Sequence, residues 1–248
     1  MIMCAEVTGS ENGRLMVVDS ASQQEVAVNT NCLNFNKGDK VKIIYNGIMT
    51  MSIPPQISAD RIIRMYDDNA GPYLIKYNEI LETMISGMCS AVLTDSISNN
   101  FIVQMIPHHR AAIEMSENIL KYTDNKELIA IAEGIISEQT KSIQNMEAAL
   151  DSCGAANCPR DVNAYQNNVQ RITGLMFSEM RNAYSDQCVN CDFLREMIPH
   201  HEGAVRMSKN ALRYNICSEL KPILNAIISS QERGIKQMRC LSMKLRCR

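Results

Sequence analysis

The stretch "FIVQMIPHHRAAIEMSENILKY", Phe101–Tyr122, decides how this chain reads, because "FLREMIPHHEGAVRMSKNALRY", Phe193–Tyr214, writes it a second time. Both copies carry Met-Ile-Pro-His-His, and together they hold all 4 histidines of the 248 residues. Sliding the chain by 92 residues lays 101–150 on 193–242 without a gap, with 21 of 50 positions identical. The identities include Phe101/Phe193, Met115/Met207, Tyr122/Tyr214, Gln139/Gln231 and Met146/Met238, and they extend upstream to Met84/Met176 and Met88/Met180. A fixed offset of this kind marks a duplicated structural unit.

Each unit divides into three helices. Apolar periodicity from about Tyr73 onward, broken by the polar turns "TDSISNN" and "TDNK", predicts helices near 74–94, 100–122 and 126–150. The second copy predicts them near 164–185, 193–214 and 218–243. Short connections with N-capping residues make neighbouring helices antiparallel. The expected fold is mainly α: a helical bundle of two tandem three-helix repeats, 73–150 and 164–243.

Residues 1–65 read differently. The runs "AEVTG", "RLMVVD", "EVAVNT" and "KVKIIYNG" are short and β-branched, with turns at "ENG", "SASQ" and "NKGD". They predict a small β-barrel-like module, of an OB-like kind, ended by "SIPPQI" because two prolines cannot continue a ladder. The module lacks the basic and aromatic surface of a nucleic-acid binder, and a net charge of -2 leaves no electrostatic footprint for one. Lys236, Arg239, Lys244, Arg246 and Arg248 make a basic tail suited to a helix C-terminus.

No run reaches the roughly 18 apolar residues that would span a bilayer, so no membrane span is expected. "MIMCAEVTGSENGR" is not a secretory leader, which predicts an intracellular, cytoplasmic protein. On that reading the 10 cysteines are expected to be reduced and incidental to structure, with a zinc or disulfide role as the alternative, since Cys188-x-x-Cys191 has a metal or redox spacing. An up-down array would put Cys153, Cys158 and Cys217 at one end and Cys188, Cys191, Cys240 and Cys247 at the other.

On their own helix Met105, His108, His109, Ala112 and Met115 fall within an arc of roughly 120° at about 100° per residue. Pro107, read either as a first helical residue or as a kink, bears on where Met105 points. Folding the flanking helices back brings Met84, Met88 and Met146 to the same level. The second copy does the same with Met176, Met180, Met197, His200, His201, Met207 and Met238. Thioether and imidazole together suit soft metals, above all Cu(I) and its analogue Ag(I). Hard ions want carboxylates, and here Glu114 becomes Arg206 and Glu138 becomes Ser230, while the acid that does repeat, Glu127/Glu219, sits near a helix start at the far end, where capping explains it. Gln139 and Gln231 are expected to orient an imidazole rather than to ligate. A methionine stripe on its own is ordinary core; four histidines confined to two Met-ringed motifs tip the balance to ligation. Each repeat is expected to form its own site.

The pattern F-x-x-x-M-I-P-H-H-x-x-A-[IV]-x-M, followed by I-I-x-x-Q-x-x-x-I-x-x-M, resembles the domain-of-unknown-function 305 family over roughly 75–245, twice. That resemblance implies a ferritin-like bundle and copper or silver ligation through Met105, His108, His109, Met115, Met146 and their second-copy mates. The function expected is metal buffering, sequestration or resistance. The alternatives are a metal-dependent oxidoreductase or hydrolase using the His pairs, and a purely structural scaffold. Against an enzyme stands the absence of a duplicated carboxylate to serve as general base and of a nucleophile motif.

Overall fold

The computed structural model describes residues 1–11, 13–30, 35, 37–64, 70–183, 185 and 188–247, with backbone alone at 63 and 64. Expectations touching Asn12, Asn36, the module boundary near residue 65 and Arg248 lie outside the described residues. The chain divides into two units, Met1–Asp68 and Asn69–Arg248.

In the first unit β1 (Ile2–Glu11), β2 (Arg14–Asp19), β3 (Glu25–Asn29), β4 (Lys40–Tyr45) and β5 (Gln56–Arg64) close into a barrel in the order β1-β2-β3-β5-β4. Strands pair antiparallel except β3 with β5, which run parallel. Period-two alternation sets the register: Met3 faces Ile43 and Ala5 faces Val41, with all four side chains turned into the core. Closure leaves no open edge.

β5 corrects the sequence reading. The two prolines do not end the module; they precede its last strand. A proline lacks only the donor, and Pro55 still offers its carbonyl to the Ala27 amide at 2.9 Å. The loop is tied down by Gln56, whose amide donates to Thr50 Oγ1 at 2.9 Å. The barrel therefore closes after the prolines.

The second unit is helical: α1 (Ala70–Cys89), α2 (Ile97–Ile119), α3 (Lys126–Leu150), α4 (Pro159–Arg181), α5 (Val189–Ala211) and α6 (Leu220–Leu245). Several helices begin three to five residues before the expected points, because the turn residues are themselves first turns. Ser96 caps α2, its hydroxyl accepting from the Asn99 amide, and Pro159 opens α4 where its missing N–H costs nothing. Pro107 and Pro199 both lie inside their helices rather than starting them.

Matching contacts show the two triplets to be built alike. Tyr73 meets Tyr122 edge-on at 5.9 Å, and Tyr165 meets Tyr214 at 5.8 Å. Asn118 donates to the Tyr73 carbonyl as Asn210 does to that of Tyr165. α2 packs on α5 and α3 on α6. The start of α2 meets the end of α5, since the Cys217 amide donates to Ser98 Oγ at 2.9 Å, so these two helices run antiparallel. Among the described residues no helix is long and apolar enough to cross a membrane.

Four cysteines are not reduced as expected. Cys153 is disulfide-bonded to Cys217, and Cys191 to Cys247. Each pair lies within one of the two ends anticipated for an up-down array, where short turns bring chain-distant thiols together. The basic tail is paired too: Lys244 with Glu127 and Arg239 with Glu202.

Candidate metal centre

The α2–α5 interface is where the duplicated motifs meet. His108 and His200 stack with ring centroids 3.6 Å apart. Their hydrogen bonds are reciprocal: Nε2 of His108 reaches the His200 carbonyl at 3.2 Å, and Nε2 of His200 reaches the His108 carbonyl at 3.0 Å. A carbonyl can only accept, so each Nε2 carries the proton and each Nδ1 keeps its lone pair. His109 flanks His108 at 5.8 Å and His201 flanks His200 at 5.9 Å. The four imidazoles thus form one row, His109–His108–His200–His201, across the repeat boundary. The expectation of one self-sufficient site per repeat does not describe this geometry, because each inner ring is held by the other copy's backbone.

All four Nδ1 atoms are buried without a hydrogen-bond partner. Burial, with neighbouring imidazoles adding to it, lowers His109 to about 3 and His108 and His201 well below the usual range. Burial likewise lowers His200 to about 4, although its bond to the His108 carbonyl works the other way. The row is neutral at ordinary pH.

The ten expected methionines, Met84, Met88, Met105, Met115 and Met146 with Met176, Met180, Met197, Met207 and Met238, all belong to the same apolar core. Met176 reaches α5 at Gly203, where a Cβ would collide with its sulfur. Gln139 and Gln231 do not orient the imidazoles as expected: both are buried with Oε1 unpartnered. Ser142, nearly one helical turn past Gln139, takes that place for the first copy, its hydroxyl 3.1 Å from Nε2 of His109. Sequence reasoning also missed Glu196. It is buried one turn before His200, and the Tyr73 hydroxyl donates to it. The signal was present in the 92-residue offset, which sets Gln104 against Glu196 on a buried stripe.

Residues 98–242 match the family described as "Domain of unknown function (DUF305)". The chain belongs to the DUF305 family. No curated protein sequence matches it. Among solved structures, CopM in its silver-bound form obtained by soaking is 30% identical, covering 61% of this chain and 96% of its own, with a TM-score of 0.45. CopM in its Cu(I)-bound form is 27% identical over 62% of this chain and 99% of its own, with a TM-score of 0.43. A DUF305 fragment from Deinococcus radiodurans is 22% identical over 62% of this chain and 98% of its own, with a TM-score of 0.45. In this DUF305 member the motif's histidines occupy the contact between its two helical triplets.

Proposed function

We propose that the helical unit binds a soft monovalent metal ion, Cu(I) or Ag(I), along the histidine row, and that its role is to buffer or sequester that ion. The carrying observation is the set of four buried Nδ1 atoms without partners. Leaving one such atom unpaired costs about 1–3 kcal/mol, which a purely structural histidine would avoid by pairing. Ligation gives the lone pairs a use. The imidazoles are already neutral, so a metal has no proton to displace from them.

The donor set favours a soft ion. Among the described residues the grouping of three His, Cys, Asp or Glu donors within 4.8 Å is Cys153, Cys217 and Glu219, whose sulfurs are joined in a disulfide. No three imidazole nitrogens come that close, so a metal on the row would need thioether donors from the methionines of the same core. Two disulfides support an oxidising compartment as the place of work, against the cytoplasmic expectation from the N-terminal residues.

The test is an anaerobic Cu(I) titration against a competing chelator, read by native mass spectrometry at pH 7 and pH 5. Binding is expected at both, since neither thioethers nor these imidazoles take up protons there. A wild-type protein that takes up no Cu(I) would end the proposal. His108→Ala with His109→Ala is expected to remove more than half of the bound metal, because it takes away two imidazoles and also the ring that stacks on His200 at 3.6 Å. Loss of half, with the remainder unweakened, would instead mean two independent sites.

A further inference from the structure

The two repeats differ at one position that bears on how an ion reaches the row. Ser142 of α3 closes off Nε2 of His109. Its counterpart 92 residues on is Gly234 of α6. Gly234 lies flat against His201: a Cβ there would stand 3.0 Å from Cδ2 and 3.1 Å from Nε2. Nε2 of His201 makes no hydrogen bond to any described residue, and the ring opens onto a groove of about 420 Å³ between α3 and α6. His201 is 2% exposed, whereas His108, His109 and His200 are 0% exposed.

The groove's charges cancel in pairs. Arg233 meets Glu138 and Lys244 meets Glu127 along its walls. A singly charged cation is therefore not repelled on the way in, and the free thiol of Cys240 on the groove wall offers it a soft donor before the row. With the proton on Nδ1, the His201 imidazole offers Nε2 to the groove.

We propose that this groove is the port through which a soft monovalent cation exchanges with the row, with Nε2 of His201 the first nitrogen it meets. The inference rests on the function proposed above. It makes the repeats kinetically unequal: the second copy is open at Gly234, and the first is closed by Ser142.

Two substitutions exchange the devices. Gly234→Ser gives α6 the residue that α3 already carries beside His109, and Ser142→Gly opens the first copy. Two readouts apply, of which one needs no metal. Diethyl pyrocarbonate with peptide mass mapping should modify His201 at least tenfold faster than the other three histidines. That preference should vanish in Gly234→Ser, and His109 should become reactive in Ser142→Gly. Stopped-flow uptake of Ag(I) by the metal-free full chain should slow at least tenfold in Gly234→Ser, with the final stoichiometry retained. Equal modification of all four histidines in the wild type, or an unchanged pattern in both variants, overturns the port. If the wild type binds silver and Gly234→Ser loads at the same rate, the port alone falls. If the wild type binds no silver at equilibrium, the proposed function falls and takes the port with it.

Discussion

Glu196 is a buried carboxyl where the first copy carries an amide, since Gln104 stands at the matching position. Burial raises the Glu196 carboxyl to about 8 from 4.5, against the lowering effect of the Tyr73 hydroxyl that donates to it. The folded state then holds a proton that the unfolded chain has released between those pH values. Stability from this residue is fully present below pH 4.5 and is lost as pH rises toward 8, by up to about 1.4 kcal/mol per pH unit. The four histidines act in the opposite direction. Their depressed values make the unfolded chain the better proton binder below about pH 6.5, so their contribution is lost as pH falls. Glu196→Gln isolates the first effect. Urea unfolding at pH 5, 6.5 and 8 should show the variant gaining on the wild type as pH rises. A difference that stays constant with pH would mean Glu196 is charged in the fold. The matching pair across the repeats, Tyr165 of the second copy and Gln104 of the first, needs no such proton, and there both Tyr165 Oη and Gln104 Oε1 are unpartnered.

Among the helices, α2 and α5 are the same element given different starts. α2 is capped by Ser96, which is buried and also donates to the Cys153 carbonyl at 2.7 Å. α5 starts at Cys188 with no side-chain cap bond. One serine hydroxyl therefore both satisfies an orphan amide of α2 and ties that helix to the end of α3. Ser96→Ala should destabilise the helical unit by about 1–3 kcal/mol, combining a lost cap with a carbonyl left unpaired. Guanidinium unfolding followed by far-UV circular dichroism measures it. A change within about 0.5 kcal/mol, the range of ordinary surface substitutions, would show that the cap is replaced by neighbours such as Asn157, whose side chain already accepts from the Ile97 amide.

At the scale of the molecule the disulfides belong to the helical unit, one at each end of the array. They close loops of 64 and 56 residues' separation. Loop entropy in the unfolded chain puts each at about 4 kcal/mol. Reduction should therefore lower the melting temperature of the helical signal by many degrees. The barrel has no disulfide among its described residues and should melt unchanged. Thermal melts of the full chain with and without a phosphine reductant, with helix and strand signals followed separately, check this. An unchanged helical melt would mean the sulfurs do not hold the ends together.

The duplication, the helical triplets and the identity of the metal-suited side chains were legible in the chain itself. A gapless offset and a 3.6-residue period are local, one-dimensional facts. So was the closeness of the cysteines in two groups, which follows from helices of similar length joined by short turns. What only tertiary structure decided was how one triplet faces the other. Nothing in the pattern of His108 and His200 says that their rings stack and exchange hydrogen bonds with each other's carbonyls, because that depends on a crossing of α2 and α5 set by their whole contact surface. The same holds for β5, whose place is set by closure of the barrel rather than by its own prolines. Ser142 and Gly234 look like an unremarkable mismatch in the repeat. They acquire meaning when folding sets one against Nε2 of His109 and the other against Nε2 of His201, where a single hydroxyl decides whether an imidazole is sealed or open.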